Sequence, residues 1–119
     1  MIITCIFILF FFILINIQAA ASLMKDQKLK GSIVNISSIG ATNGAATHSH
    51  YCASKAGVIG YTKTMAQEFG PFGIRVNAVL PGVINTPMVE RNGGDEVLNF
   101  FFHFVSIMVF HSPDATLFV

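Results

Sequence analysis

The sequence predicts an α/β fold built on one strand–helix–strand unit. Residues 33–36 (IVNI) are a short β-branched run, which is typical of a buried strand. Residues 50–69 have the length of a helix and end at Gly70-Pro71, a pair that stops helices. Residues 74–80 predict a second strand. Two strands joined by a crossover helix form a βαβ unit, in which we expect parallel strands and a right-handed connection.

One more helix is predicted before the first strand, and a loop is predicted after that strand. The run from Ile17 to about Gln27 contains many strong helix formers. Residues 37–49 are rich in Gly, Ser, Thr, Ala and Asn, a composition typical of a loop. Within that loop, Thr47 or Ser49 is available to cap the crossover helix.

The crossover helix carries a small-residue face. Gly57 and Gly60 lie inside it, with Ala53 and Ala56 nearby. Glycine costs about 1 kcal/mol relative to alanine in a helix interior. We therefore expect this face to receive the close approach of another backbone.

Composition divides the chain into three parts. Of its 12 phenylalanines, all but Phe69 and Phe72 lie in residues 1–12 or 100–119. We predict an apolar flank, a partial domain and a divergent apolar tail over residues 1–16, 17–91 and 92–119. The length of 119 residues allows one small domain at most. The net charge of +1 gives no electrostatic case for nucleic-acid binding.

The N-terminal flank has three interpretations, and they leave the compartment open. A signal peptide could be cleaved after the alanines at 19–21, but no positive charge precedes the apolar run. A membrane helix needs roughly 30 Å, whereas fifteen residues reach about 22 Å. Extension to Leu23 adds length but includes Asn16 and Gln18. The third interpretation is sequence foreign to the domain. A genuine apolar anchor implies membrane association through residues 1–23; otherwise the chain is cytoplasmic or mitochondrial.

Tyr51 and Lys55 are the first candidates for catalysis. A spacing of four places both on one face of the predicted helix, one turn apart. Tyrosine in water has a pKa near 10, and a nearby ammonium stabilises the phenolate form. Such a tyrosine can protonate a developing alkoxide or take the proton back in reverse. Lysine also has three donors, enough to reach a ribose hydroxyl.

Ser38 is the third candidate. It lies at the C-terminal end of the first strand, and ligands of open α/β sheets bind outside the carboxyl ends of the strands. A hydroxyl there can donate to the oxygen of a substrate carbonyl. The strand–loop–helix order should therefore bring Ser38 and Tyr51 to one crevice.

Three segments together, NISS at 35–38, YCASKAG at 51–57 and PGVINTPM at 81–88, closely resemble the short-chain dehydrogenase/reductase family. The similarity is greatest to the branch of 3-oxoacyl-acyl-carrier-protein reductases and type 8 17β-hydroxysteroid dehydrogenases. The resemblance runs from about Gln18 to Arg91, the later half of a family domain. It implies a Rossmann-type doubly wound parallel sheet, here partial, with one βαβ unit and a preceding helix.

The resemblance also implies residue roles, a cofactor and partners. Ser38 corresponds to the substrate-orienting serine, Tyr51 to the acid/base and Lys55 to its partner. Tyr51 and Lys55 also border the NAD or NADP site. The loop beside the nicotinamide corresponds to Pro81, Gly82, Ile84 and Thr86. The family reduces carbonyls or oxidises secondary alcohols by hydride transfer, often as homotetramers.

Three features of the family have no counterpart here. The TGxxxGxG turn that binds the pyrophosphate and the NNAG segment are absent. Gly40 and Gly44 lie in the loop after Ser38 and do not replace that turn. Counting back the family's twenty-nine residues from Ser38 to the catalytic asparagine reaches Leu9, whereas Asn16 lies seven positions later.

We therefore expect a fragment of an NAD(P)-dependent oxidoreductase that acts on a small-molecule carbonyl or alcohol and is inactive in isolation. The alternatives are a non-catalytic, membrane-associated remnant that pairs with a full-length reductase, and an incorrectly joined gene model. No metal site is expected, because His48 and His50 lie in a loop without a nearby carboxylate or thiolate pair and zinc normally needs four well-placed ligands. The two cysteines form no disulfide framework.

Overall fold

The computed structural model describes residues 2–82. Two parallel strands form its sheet, β1 (Gly31–Ile36) and β2 (Ile74–Val79). The register pairs Gly31 with Ile74 and Ile36 with Val79. The predicted parallel pairing is therefore confirmed. β1 begins two residues earlier than expected and β2 ends one residue earlier.

Residues 2–82 also form three α-helices: α1 (Ile2–Asp26), α2 (Gly40–Asn43) and α3 (Ser49–Phe69). The prediction that the first helix begins at Ile17 was wrong, since α1 begins fifteen residues earlier. Residues 2–16 contain neither Gly nor Pro, so no local breaker stops the helix there. The predicted tail, residues 92–119, lies outside the described residues.

The segment between β1 and α3 departs from its prediction as a plain loop. A single short helix, α2, lies within it. The predicted caps were also wrong: His48 occupies the N-cap position of α3 and makes no side-chain capping bond. Ser49 is already the first helical residue, and Thr47 has a left-handed backbone with φ of 68°.

A short 3₁₀ turn (Gly70–Phe72) carries the chain from α3 into β2. Gly73 follows with φ of 76°, a left-handed conformation that glycine adopts without penalty. A Cβ at this position would also lie only 3.0 Å from Cγ of Lys30. The predicted stop at Gly70-Pro71 is thus confirmed, and Gly73 completes the reversal.

The core lies mainly between α3 and β2. Met65, Ile74 and Val76 have no solvent exposure, and Ala66 and Phe69 pack with them. A second cluster lies under α2 and joins Ile39, Ile59, Ala78 and Leu80. Burial of one such large side chain is worth about 1.5–3 kcal/mol. The two clusters fix α3 across the sheet from one end to the other.

α1 contacts the small-residue face of α3 at Gly57. A Cβ at Gly57 would lie 2.6 Å from Cζ of Phe10, so the Phe10 ring fills the place of a side chain there. Space around Gly60 is open. The expected close approach therefore occurs at Gly57, but the approaching group is an aromatic ring rather than a backbone. In the described part of the chain, no helix has the length and apolar character required to cross a bilayer.

The outer edge of β1 has no strand partner within residues 2–82. Gly31 and Ser37 donate their backbone N–H groups toward β2, to Gly73 and Val79. Because successive residues of a strand alternate in direction, the backbone groups of Val34 and Ile36 point to the unpaired edge. The side chains of both are more than half exposed. This free edge borders the site described below.

A tyrosine hydroxyl ties α1 to α3. The Tyr61 hydroxyl donates to the Leu14 carbonyl at 2.9 Å and lies 3.1 Å from Oε1 of Gln18. Burial, with a smaller contribution from the Glu68 carboxylate, raises the pKa of Tyr61 above its ordinary value of 10.0. Only the protonated phenol can donate this bond. Its stabilisation is therefore complete below the unfolded pKa and is lost as pH rises through the folded pKa.

Replacing Tyr61 with Phe should lower the free energy of unfolding by about 0.5–1.5 kcal/mol at pH 8, the usual contribution of one hydrogen bond. The difference between the wild type and Tyr61→Phe should shrink once pH passes about 10. Urea denaturation at pH 8 and pH 11 measures both effects. Tyr51→Phe is the matched control, since it leaves the α1–α3 bond in place and should not change stability at pH 8. An undiminished difference at pH 11 would contradict the proposed dependence on the proton.

Candidate active site

Ser38 lies just beyond the carboxyl end of β1, where the backbone turns into α2. Its side chain is partly buried, and its Oγ accepts a hydrogen bond from the Gly40 N–H at 3.1 Å. That bond uses a lone pair of the hydroxyl and leaves its proton available. Ser38 can therefore still donate to another oxygen in the crevice.

Ser38 and Tyr51 meet at Gly40. A Cβ at Gly40 would lie 3.5 Å from Oγ of Ser38, 3.7 Å from Cε1 of Tyr51 and 3.6 Å from Sγ of Cys52. The hydroxyl and the phenol ring thus approach one point from the strand side and the helix side. Tyr51 is 37% exposed, so a substrate can reach its ring from solvent. The structure brings these two predicted residues together.

Lys55 lies one turn after Tyr51 on α3. Its Nζ is 5.9 Å from the centroid of the Tyr51 ring, near the limit of a cation–π contact. The same ammonium donates to the Ile36 carbonyl at 3.1 Å. That carbonyl points to the free edge of β1, so the lysine satisfies a backbone group that no described strand pairs. Two of its three N–H donors remain for other partners.

The predicted cofactor residues follow β2. The Pro81 carbonyl accepts a hydrogen bond from the Ile39 N–H at 3.1 Å, which places this loop beside the residue that follows Ser38. Gly82 is the last residue described. Ile84 and Thr86 lie outside the described residues. The loop after β2 therefore begins next to the crevice.

The chemistry of these residues fits the nicotinamide end of a dinucleotide. The Lys55 ammonium offers donors to ribose hydroxyls, and the half-exposed loop at Pro81 and Gly82 lies at the same end of the sheet. No glycine-rich pyrophosphate turn occurs in the sequence. The chain thus supplies groups for one end of such a cofactor.

A groove of about 410 Å³ lies between α1 and the free edge of β1. Lys55 and Asn16 contribute to its lining, whereas Ser38 and Tyr51 do not. Asn16 donates from Nδ2 to the Phe12 carbonyl of its own helix at 2.7 Å. The groove is therefore distinct from the crevice at Gly40. Lys55 lines the groove, whereas Tyr51, on the same helix, lies at the crevice.

Gly40 is the residue of the site that sequence reasoning missed. The sequence suggested only a flexible loop, whereas Gly40 separates the serine from the tyrosine and donates to the serine. Its position two residues after Ser38 was the one sequence feature that could have indicated this role.

As for metals, residues 2–82 contain no group of three side chains suited to hold an ion. His103 and His111 lie outside that part of the chain.

Comparisons with known proteins agree with this geometry. Residues 11–107 match the family described as Enoyl-(Acyl carrier protein) reductase. The human (3R)-3-hydroxyacyl-CoA dehydrogenase is 53% identical over 74 residues, which cover 62% of this chain and 28% of that protein. The Synechocystis 3-oxoacyl-[acyl-carrier-protein] reductase is 45% identical over 83 residues, covering 70% of this chain and 33% of the relative. The chain thus spans about a third or less of these relatives.

Solved structures show the same fold. A 4-hydroxyisoleucine dehydrogenase complexed with NADH superimposes with a TM-score of 0.65 at 38% identity, over 72% of this chain and 36% of that one. The 3-oxoacyl-[acyl-carrier protein] reductase of Brucella melitensis gives 0.57 at 43% identity, over 63% and 28%. These neighbours confirm the predicted partial Rossmann-type sheet. The chain belongs to the short-chain dehydrogenase/reductase family.

Proposed function

We propose that this chain carries the catalytic side of an NAD(P)-dependent oxidoreductase that interconverts a carbonyl and a secondary alcohol. The observation that carries the proposal is the convergence of Ser38 Oγ and the Tyr51 ring at Gly40, with the Lys55 ammonium one turn away. Names of the relatives support the reaction class, since they are dehydrogenases and reductases. A neighbour that contains NADH supports a nicotinamide cofactor.

Ser38 orients the substrate in this proposal. Its Oγ already accepts from Gly40, so its own proton donates to the substrate carbonyl oxygen. That bond draws electron density from the carbonyl carbon. Ser38 also fixes the oxygen beside Tyr51, where a proton is needed as negative charge develops.

Tyr51 moves the proton. During reduction its hydroxyl donates a proton to the developing alkoxide, and during oxidation the phenolate takes the proton of the alcohol. The Lys55 ammonium stabilises the phenolate that remains after donation. A bound nicotinamide would supply or accept the hydride at the substrate carbon. Lys55, Pro81 and Gly82 are the residues of this chain that would hold it.

The isolated chain should bind the cofactor poorly, because its sequence lacks the backbone turn that would hold the pyrophosphate. Titration of the purified chain with NADH and NADPH, followed by calorimetry, should show no saturation below about 1 mM, which corresponds to a binding free energy weaker than about −4 kcal/mol. The human relative titrated in parallel is the positive control. Saturable micromolar binding by the isolated chain would contradict this expectation.

A chimeric enzyme tests the catalytic roles. The matched 74-residue segment of this chain replaces its counterpart in the human relative, and NAD-dependent oxidation of a hydroxyacyl thioester is assayed. We expect measurable turnover in the chimera. Tyr51→Phe should lower kcat by roughly 10²–10⁴-fold, the usual contribution of a positioned proton donor.

Ser54→Ala is the matched control for that chimera. Ser54 lies between Tyr51 and Lys55 on α3, and its hydroxyl donates only to the Tyr51 carbonyl of its own helix at 2.8 Å. Its removal should leave kcat within a few fold. An active chimera that is insensitive to Tyr51→Phe would refute the assignment of the proton donor.

A further inference from the structure

Ser37 is more deeply buried than its partly buried neighbour Ser38 and makes different contacts. It is 3% exposed, and its Oγ donates to the Lys55 carbonyl at 2.8 Å. Its backbone N–H donates to the Val79 carbonyl at 2.8 Å. A single buried residue therefore joins the end of β1 to both β2 and α3.

Lys55 is therefore hydrogen-bonded to two consecutive residues at the end of β1, Ile36 and Ser37. Its Nζ donates to the Ile36 carbonyl, and its own carbonyl accepts from the Ser37 hydroxyl. One bond fixes the side chain and the other fixes the backbone. Since Tyr51 lies one helical turn before Lys55, the same backbone bond limits how far the phenol can move relative to Ser38.

A second polar link between β1 and α3 lies about two turns further along the helix. Asn35 donates from Nδ2 to Oγ1 of Thr62 at 2.9 Å, and Thr62 donates to the Val58 carbonyl at 2.7 Å. Thr62 lies two turns beyond Lys55, so this link restrains the middle of α3. The Ser37 bond restrains the turn of the helix that carries Lys55.

We propose that Ser37 is a positioning residue that holds Lys55, and through it Tyr51, in register with Ser38. The importance of Ser37 for catalysis rests on the proposed function. Its hydrogen bond to the Lys55 carbonyl is observed independently of any activity. Ser37 itself is buried, so its side chain is not accessible to a substrate from solvent. Its role is to set the separation between the helix and the strand end by one hydrogen bond.

The reactivity of the Lys55 amine tests this role without cofactor or substrate. The full chain is treated briefly with an N-hydroxysuccinimide acetate, and acetylation of Lys55 is measured by mass spectrometry relative to the exposed Lys28. Loss of the backbone anchor should free the Nζ from the Ile36 carbonyl. We expect Ser37→Ala to raise the ratio of Lys55 to Lys28 acetylation at least threefold, and Ser37→Thr, which keeps the hydroxyl, to restore it.

Thr62→Val separates positioning from general packing, because it removes the Asn35–Thr62 link and should leave the acetylation ratio unchanged. Three outcomes would overturn the proposal: an unchanged ratio in Ser37→Ala, an equal rise in Thr62→Val, or loss of helical circular dichroism in Ser37→Ala with faster acetylation of every lysine. The last outcome would make Ser37 a stability residue. Inactivity of the chimeric enzyme, by contrast, would count against the proposed function and leave this result intact.

Discussion

The packing of α3 across the parallel strands is the constraint on which the site depends. Met65 and Phe69 bury the C-terminal half of α3 against Ile74 and Val76 of β2. Because the strands are parallel, their carboxyl ends lie at the same end of the sheet. α3 must begin near that end to return the chain to the start of β2. The first turns of α3 and the residues after β1 are therefore brought together by the topology itself.

Polar contacts refine what this packing imposes. Hydrophobic burial fixes the distance between helix and sheet but is non-directional, so it leaves rotation and sliding of α3 weakly determined. Directional links restrict these movements: the hydrogen bonds between Ser37 and Lys55, between Lys55 and Ile36, and between Asn35 and Thr62. Each bond contributes only about 0.5–1.5 kcal/mol to stability. Their larger effect is on which side chains face each other.

Lys55, a proposed catalytic residue, also bonds to the unpaired edge of β1. The Ile36 carbonyl points away from β2 and would otherwise lack a protein partner in the described structure, and the Lys55 ammonium donates to it. This bond holds the positive charge near the Tyr51 ring. A ligand that recruits Lys55 must therefore use its remaining donors or compete with that carbonyl.

The sequence alone was sufficient for the parts of the fold that local chemistry determines. The two strands and α3 were predicted because β-branched runs, helical length and the Gly70-Pro71 stop are local properties. The start of α1 was missed, since a uniformly apolar run has no periodicity from which to read a boundary. α2 was missed because its residues have a loop-like composition. Ser38, Tyr51 and Lys55 were predicted as site residues from their places on the predicted elements and from the family resemblance. The contacts at Gly40 and Ile36 reach across to α3 and required the fold.

The candidate site requires the segment after β1 to lie against the start of α3. Formation of a disulfide between the two segments tests this proximity most directly. A Cβ at Gly40 would lie in ordinary contact with Sγ of Cys52, at 3.6 Å, whereas no atom lies within 4 Å of one at Gly60. Mild oxidation of Gly40→Cys should therefore link the new thiol to Cys52, seen by mass spectrometry as a loss of two hydrogens and of alkylation at both thiols. Gly60→Cys should leave Cys52 open to alkylation. If Cys52 remains fully alkylated in oxidised Gly40→Cys, then Ser38 and Tyr51 do not share a crevice and the account is wrong.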